Sequence, residues 1–221
     1  ALACDPISAF GGIVSCNFKI NKKLALELSK LFLEVIIGIN FDKDALKILK
    51  RKKNLRLIDA SNFTHSEILK FTSTNDNILV QSEDKKMFKR NDFKIVSKKK
   101  PSISLFNDLI FAFNICRYVK SNAIVLASNK STLGIGCGQT SRLDSCQIAI
   151  DKMKKFTKPS KDIVAASDAF FPFTDGIEKL VQSGVKAVIQ PAGSIKDKEV
   201  IKFANETGTI LVFSKTRHFR H

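Results

Sequence analysis

SDAFFPFTDG, residues 167–176, stands between an apolar run, IVAA (163–166), and the amphipathic segment TDGIEKLVQSG (174–184). The run has the length and composition of a short buried strand, and the segment after it has the start signal, the apolar spacing and the closing glycine of a helix. Three phenylalanines, a proline and two carboxylates are therefore gathered where a strand hands over to a helix. Open α/β sheets place ligand sites at such junctions. The same residues would also serve as an aromatic plug closing one end of a core, and local sequence does not separate the two roles.

The neighbouring segments repeat the alternation. Downstream, VKAVIQP (185–191) precedes DKEVIKFANE (197–206), and TILVFS (209–214) leads into the tail. Upstream, Leu105, Leu109, Ile110, Phe113 and Ile115 predict a long helix over 103–120. NAIVLASNKSTLGIGCGQ (122–139) reads as two strands joined by the turn-like SNKS, a hairpin. TSRLDSCQIAIDKM (140–153) resumes helical spacing, with Ser141 or Thr140 as its cap. Nearer the start, strands are expected at 12–15 and 34–39, helices at 22–32 and over DALKILKRKK (44–53) with Asp42 as cap, and further strands at LRLID (55–59) and ILVQS (78–82). Residues 85–104 are polar and basic and read as a connection between subdomains. The fold class expected is α/β, a three-layer α/β/α sandwich with subdomains at 1–100 and 101–221.

Composition narrows the class of protein. Hydrophobic residues make up 44% and charged residues 26%, the balance of a globular chain with a sizeable core. No apolar run reaches the roughly 18 residues that span a bilayer. With no secretory pattern at the N-terminus either, a cytoplasmic location is expected and no membrane partner. The chain begins at Ala1, already inside the polar-glycine motif CDPISAFGG, as a piece cut within a domain would. Five cysteines without a Cys-x-x-Cys pair suggest reduced thiols, and no metal site is assigned.

The 37 basic residues against 21 acidic ones leave a net charge of +16, which raises nucleic-acid binding as an alternative function. The make-up of that charge argues against it: thirty of the cations are lysines and seven are arginines, scattered and without interleaved aromatics. No nucleic-acid partner is expected. Attraction of anionic small molecules fits the same charge.

GIGCGQTSR (134–142) sets three glycines on alternate positions before a helix start, where a backbone can approach a ligand closely or simply leave a strand tightly. It lacks the spacing of a dinucleotide loop and the lysine of a phosphate loop. Asn122, between a helix and a strand, can orient a substrate or cap the helix. Asp5, before Pro6, reads as a turn acid, and His65 falls in a polar loop. The tail TRHFRH follows a buried-type strand, so Arg217 can be delivered to a phosphate. Neither zinc-deaminase ligands nor a nucleophile elbow are present.

Together CDPISAFGGIV, EVIIG, VKSNAIV, GIGCGQTSR, ASDAFFPFTDGI, IQPAGSI and RHFRH resemble the bifunctional purine biosynthesis protein family, in the C-terminal part of its AICAR transformylase domain. The resemblance implies cytidine-deaminase-like α/β/α units, a homodimer with shared active sites, and formyl transfer from 10-formyltetrahydrofolate to AICAR ribonucleotide on the way to IMP. It implies that Asp5, Asn122, Phe170 and Arg217 surround AICAR, with Phe170 against the imidazole, Arg217 on the phosphate and Asn122 as the catalytic amide. It further implies that Arg142, Leu143, Pro172, Phe173 and Asp175 lie near the folate. The family's Lys-His pair and its cyclohydrolase domain lie upstream of the Asp5 motif, so this chain alone is expected not to turn over AICAR. Thr174 departs from the arginine usual in FPFRDG.

Overall fold

The computed structural model describes residues 2–64, 69–158 and 160–220; His65 lies outside them. The chain forms two compact units, one over Cys4–Glu83 and one over Asp84–His221.

The N-terminal unit holds a parallel three-stranded sheet of order β1-β2-β3, made by β1 (Gly12–Cys16), β2 (Leu33–Gly38) and β3 (Arg56–Asp59). Helices α1 (Lys22–Ser29) and α2 (Lys43–Leu49) bury Ala25, Leu28, Ala45 and Leu49 against Ile20, Leu33, Ile36 and Phe41. Asn21 caps α1, its Oδ1 accepting from the Leu24 amide at 2.9 Å. Both helices stop short of the spans their spacing predicts. At Lys30 the chain turns back, the Lys30 amide donating to the Glu27 carbonyl, which lets Leu33 enter the sheet core. Beyond Leu49 the run KRKK offers no apolar side chain to bury and sets like charges side by side. Asp42 does sit at the N-cap of α2, but makes no side-chain cap bond; it pairs with Lys19 at 2.8 Å. The strand expected at 78–82 is β5 (Asn77–Ser82), and it pairs antiparallel with β4 (Leu69–Thr74), which sequence reading did not find. Every residue of that hairpin is exposed, so no alternation of burial marked it.

The C-terminal unit is a six-stranded mixed sheet of order β6-β11-β10-β9-β7-β8, built from β6 (Phe93–Ile95), β7 (Ile124–Ser128), β8 (Ser131–Gly136), β9 (Ile163–Ser167), β10 (Val185–Pro191) and β11 (Ile210–Ser214). Helix α3 (Ile103–Cys116) covers one face, with Phe106, Leu109 and Phe113 against Val125, Val164, Ile189 and Val212. Helices α4 (Arg142–Phe156), α5 (Asp175–Gln182) and α6 (Asp197–Glu206) cover the other, where Cys146, Ile150, Ile177, Leu180 and Val200 meet Leu126, Ala165, Val188 and Leu211. The three-layer α/β/α architecture is thus present, with a buried apolar core on each side of the sheet. Each fully buried Leu, Ile, Val or Phe there contributes roughly 1.5–3 kcal/mol.

Residues 85–104 are not a bare connection. They supply β6, the antiparallel edge strand beside β11, and the buried ring of Phe88. A three-residue strand is too short to leave a period in the sequence. The SNKS hairpin forms as expected: Asn129 and Lys130 both have positive φ, 50° and 53°, and the buried carboxylate of Asp108 accepts both their amides at 2.9 and 2.8 Å. Such a turn follows the twist of the two strands.

Candidate active site

Topology gathers the site. Strands β9, β10 and β11 run parallel, so their carboxyl ends deliver residues 168–175, 192–197 and 215–220 to one edge of the sheet. Strand β7 runs antiparallel to β9, with Ile124 opposite Ser167, which brings Asn122 to that edge as well. Strand β8 pairs Gly136 with Ile124, so the turn after β8 and the start of α4 at Arg142 arrive there too.

At the centre is a buried ion pair. The Arg142 guanidinium meets the Asp168 carboxylate, donates to the Ser167 hydroxyl at 2.9 Å and to the Asn122 side-chain oxygen at 2.7 Å. Arg142 is 11% exposed and Asp168 not at all. The Asn122 amide group donates in turn to the carbonyls of Gln139 and Thr140 at 2.9 and 3.0 Å. Each end of this side chain therefore has protein partners, and Asn122 ties the 137–142 turn to the ion pair. The Ser121 hydroxyl donates to Asp168 at 2.5 Å.

The tail is laced onto the same cluster. The His218 amide donates to the Asp168 carbonyl at 2.9 Å, the Ser121 amide to the Arg220 carbonyl at 2.9 Å, and the Arg220 side chain to the Tyr118 carbonyl at 2.9 Å. Arg217, exposed, lies with its guanidinium carbon 4.8 Å from the centroid of the half-buried Phe170 ring. Sequence reading expected Phe170 and Arg217 together, and they are. It did not single out Ser121, His218 or Asp84; the serine and the histidine stand inside motifs it quoted, whereas nothing in SEDKKMF distinguishes Asp84.

The aromatic stretch divides its labour. Phe171 is 1% exposed and is a core plug; Gly176 makes room for it, since a Cβ at 176 would lie 2.5 Å from a Phe171 ring carbon. Phe173 is 60% exposed, beside exposed Pro172 and Asp175, and Leu143 is half-buried. Asp175 accepts from the Gly176 amide at 2.7 Å, while the Thr174 side chain makes no cap bond to α5.

Two of the three glycines in 134–138 have a different reason from ligand approach. A Cβ on Gly134 would fall 2.0 Å from the Ala149 carbonyl oxygen, and on Gly136 1.8 Å from that of Ser145. They let α4 pack directly on β8. Gly138 has open space and a φ of +70°, so it serves the turn. Asp5 belongs to the N-terminal unit, where its carboxylate accepts from the Ser8 amide at 3.1 Å.

Burial also sets the protonation of nearby groups. It pushes the Cys146 thiol up to about 12 and Cys116 well above its usual range. For His218 burial lowers the pKa, against the opposing pull of Asp84. Among the described residues no group of three or more His, Cys, Asp or Glu is placed to hold a metal ion.

The family described as AICARFT/IMPCHase bienzyme matches residues 1–152. The chain belongs to that family. The bifunctional purine biosynthesis proteins PurH of Persephonella marina and Aquifex aeolicus are both 45% identical to it, and that of Petrotoga mobilis 44%, each across the whole of this chain. This member of the bienzyme family spans about 43% of the length of the curated relatives it matches. A solved chain described as protein ybgI, of unknown function, aligns with a TM-score of 0.23 at 12% identity, too slight a likeness to bear on the fold. None of these relationships supports the alternative of a nucleic-acid-binding module.

Proposed function

We propose that the chain contributes the nucleotide-binding part, and some of the folate-binding part, of an AICAR formyltransferase. The two units are then the end of the first transformylase subdomain and the second one. The observation that carries this reading is the Arg217–Phe170 stack at the carboxyl ends of the strands: a cation and a flat ring, side by side, suit a nucleotide with a phosphate and a heterocycle. The net charge of +16 favours two anionic substrates in the same direction.

In the reaction the 5-amino nitrogen of AICAR attacks the formyl carbon of 10-formyltetrahydrofolate. The bond from that carbon to N10 breaks, the amine loses a proton, N10 gains one, and FAICAR and tetrahydrofolate leave. The amine is a weak nucleophile because its lone pair is shared with the ring, so proton removal and orientation carry the rate. Arg217 holds the phosphate, and the accessible part of Phe170 packs on the imidazole. Exposed Phe173 and Pro172, with Leu143 and the Asp175 carboxylate, offer an apolar shelf and an acceptor to a pterin ring. Asn122 and Arg142 act inside the protein wall, Asn122 fixing the turn at 137–142 and Arg142 neutralising Asp168. Proton transfer falls to the Lys-His pair that the family resemblance places upstream. A homodimer with shared sites and a cytoplasmic location complete the proposal; no described helix is long and apolar enough to cross a membrane.

Calorimetric titration tests it. AICAR ribonucleotide should bind, its riboside much more weakly, and binding at a hundredfold excess over Kd should stabilise the fold by about 2.7 kcal/mol. Salt-sensitive DNA binding without any response to the ribonucleotide would sink the reading.

A further inference from the structure

Residues 215–220 belong to no helix or strand, so the direction of Arg217 is set by whatever anchors its neighbours. His218 is the one buried residue among them, 2% exposed, with Arg217, Phe219 and Arg220 all open to solvent. Its Nδ1 lies 2.5 Å from a carboxylate oxygen of Asp84, a residue more than a hundred positions earlier that opens the C-terminal unit. The ring stands edge-on to Phe88, centroids 5.2 Å apart, and 4.6 Å from Phe113. Its Nε2 is buried and has no partner among the described residues. A neutral ring that donates through Nδ1 suits this arrangement: Asp84 takes the single N–H, and the buried Nε2 is left as a bare acceptor and not as a stranded donor. Burial, which disfavours the charged ring, acts in the same direction.

We propose that Asp84 and His218 form a positioning clasp that presents Arg217 to the substrate phosphate. The proposal rests on the nucleotide-binding reading above and adds two residues to it, neither of which touches substrate. Asp84 fixes the imidazole, the imidazole fixes the tail between Phe88 and Phe113, and the His218 amide docks on the Asp168 carbonyl. Arg217, one residue away, is thereby held over Phe170. The cation–ring contact alone, at an exposed site, is worth only about 0.5–1 kcal/mol and does not define a direction for a long side chain.

Asp84→Ala tests the clasp, with Asp84→Asn as the conservative variant whose side-chain oxygen still accepts from Nδ1. Asp84 is 37% exposed at its side chain, so neither change leaves a buried hole. In titrations, Asp84→Ala should weaken AICAR ribonucleotide about five- to twentyfold, leave the riboside within twofold, and add less than twofold in an Arg217→Ala background; Asp84→Asn should recover most of the loss. Equal weakening of ribonucleotide and riboside, or full additivity with Arg217→Ala, would overturn it. A ligand-free arm follows amide hydrogen exchange at His218, which should speed up in Asp84→Ala and return towards wild type in Asp84→Asn; unchanged exchange also overturns the clasp. If the wild-type chain binds no ribonucleotide, the nucleotide-binding reading fails, and the exchange arm still decides whether Asp84 anchors the tail.

Discussion

The guanidinium of Arg217 rests 4.8 Å above the centroid of Phe170, joining the tail of the chain to the strand–helix junction that follows β9. Neither side chain reaches its place alone. Arg217 arrives because the backbone of His218 is bonded to Asp168, and Phe170 because Phe171 beside it is locked into the core.

Arg217→Ala should therefore lower ribonucleotide affinity by about 1.5–3 kcal/mol, the usual worth of charged hydrogen bonds, and leave the riboside nearly unchanged. Arg217→Lys should restore only part, because an ammonium cannot make the paired contacts of the guanidinium. Calorimetric titration reads both, and equal affinities of wild type and Arg217→Ala would remove Arg217 from the phosphate site.

Arg142→Met leaves the Asp168 carboxylate without its guanidinium in a fully buried position. A loss of about 3–5 kcal/mol is expected from urea unfolding, with part of it recovered in Arg142→Met/Asp168→Asn, where the stranded charge is gone. A single variant as stable as wild type would mean that the pair is not closed off from water.

Gly136→Ala and Gly134→Ala should each destabilise at or above the upper end of the 1–3 kcal/mol typical of overpacking, because the added carbon meets helix backbone and not a movable side chain. Gly138→Ala meets no neighbouring atom and should lose only about 1–2 kcal/mol, from its left-handed φ. Chemical denaturation orders the three; a Gly138 variant worse than the other two would contradict the packing argument.

His218 has a folded-state pKa below its usual value near 6.5, so the unfolded chain takes up a proton before the folded one does. Its contribution to stability is complete above about pH 6.5 and is lost as the pH falls from there through the folded value. Denaturation midpoints measured from pH 8 to pH 5 should decline in wild type more steeply than in His218→Gln. Parallel declines would show that His218 does not titrate with folding.

Cys137 is exposed, whereas Cys116 and Cys146 are buried with raised pKa values that keep them as thiols. A thiol reagent at pH 8 should label Cys137 first and reach Cys116 and Cys146 only on unfolding, as mapped by mass spectrometry. Early labelling of Cys146 would mean that α4 opens readily in the native state.

Much of the C-terminal unit was legible because five of its six strands are five- to seven-residue, largely apolar runs and its two longest helices carry caps at their starts. Ser102 and Ser141 cap α3 and α4 through their hydroxyls, and Asn129 and Lys130 adopt the turn that SNKS announces. The failures have local causes. The exposed hairpin of β4 and β5 carries no burial alternation, and β6 is too short to carry one. For Gly134 and Gly136 ligand approach and a tight strand exit were equally open, because a sequence records the missing side chain but not the helix that occupies its space.

The order of apolar runs, caps and turns was enough to predict a layered α/β chain, since those signals come from neighbours along the chain, whereas residues 122, 142, 170 and 217 were grouped by the family resemblance of the motifs that hold them. Which polar group stays at the surface and which is consumed inside the wall depended on the antiparallel pairing of β7 with β9 and on the return of the tail, contacts between residues far apart in order. That folding made Arg142 the partner of both Asp168 and Asn122, left Arg217 outside over Phe170, and brought Asp84 to His218, because a buried charge or ring takes the nearest partner in space.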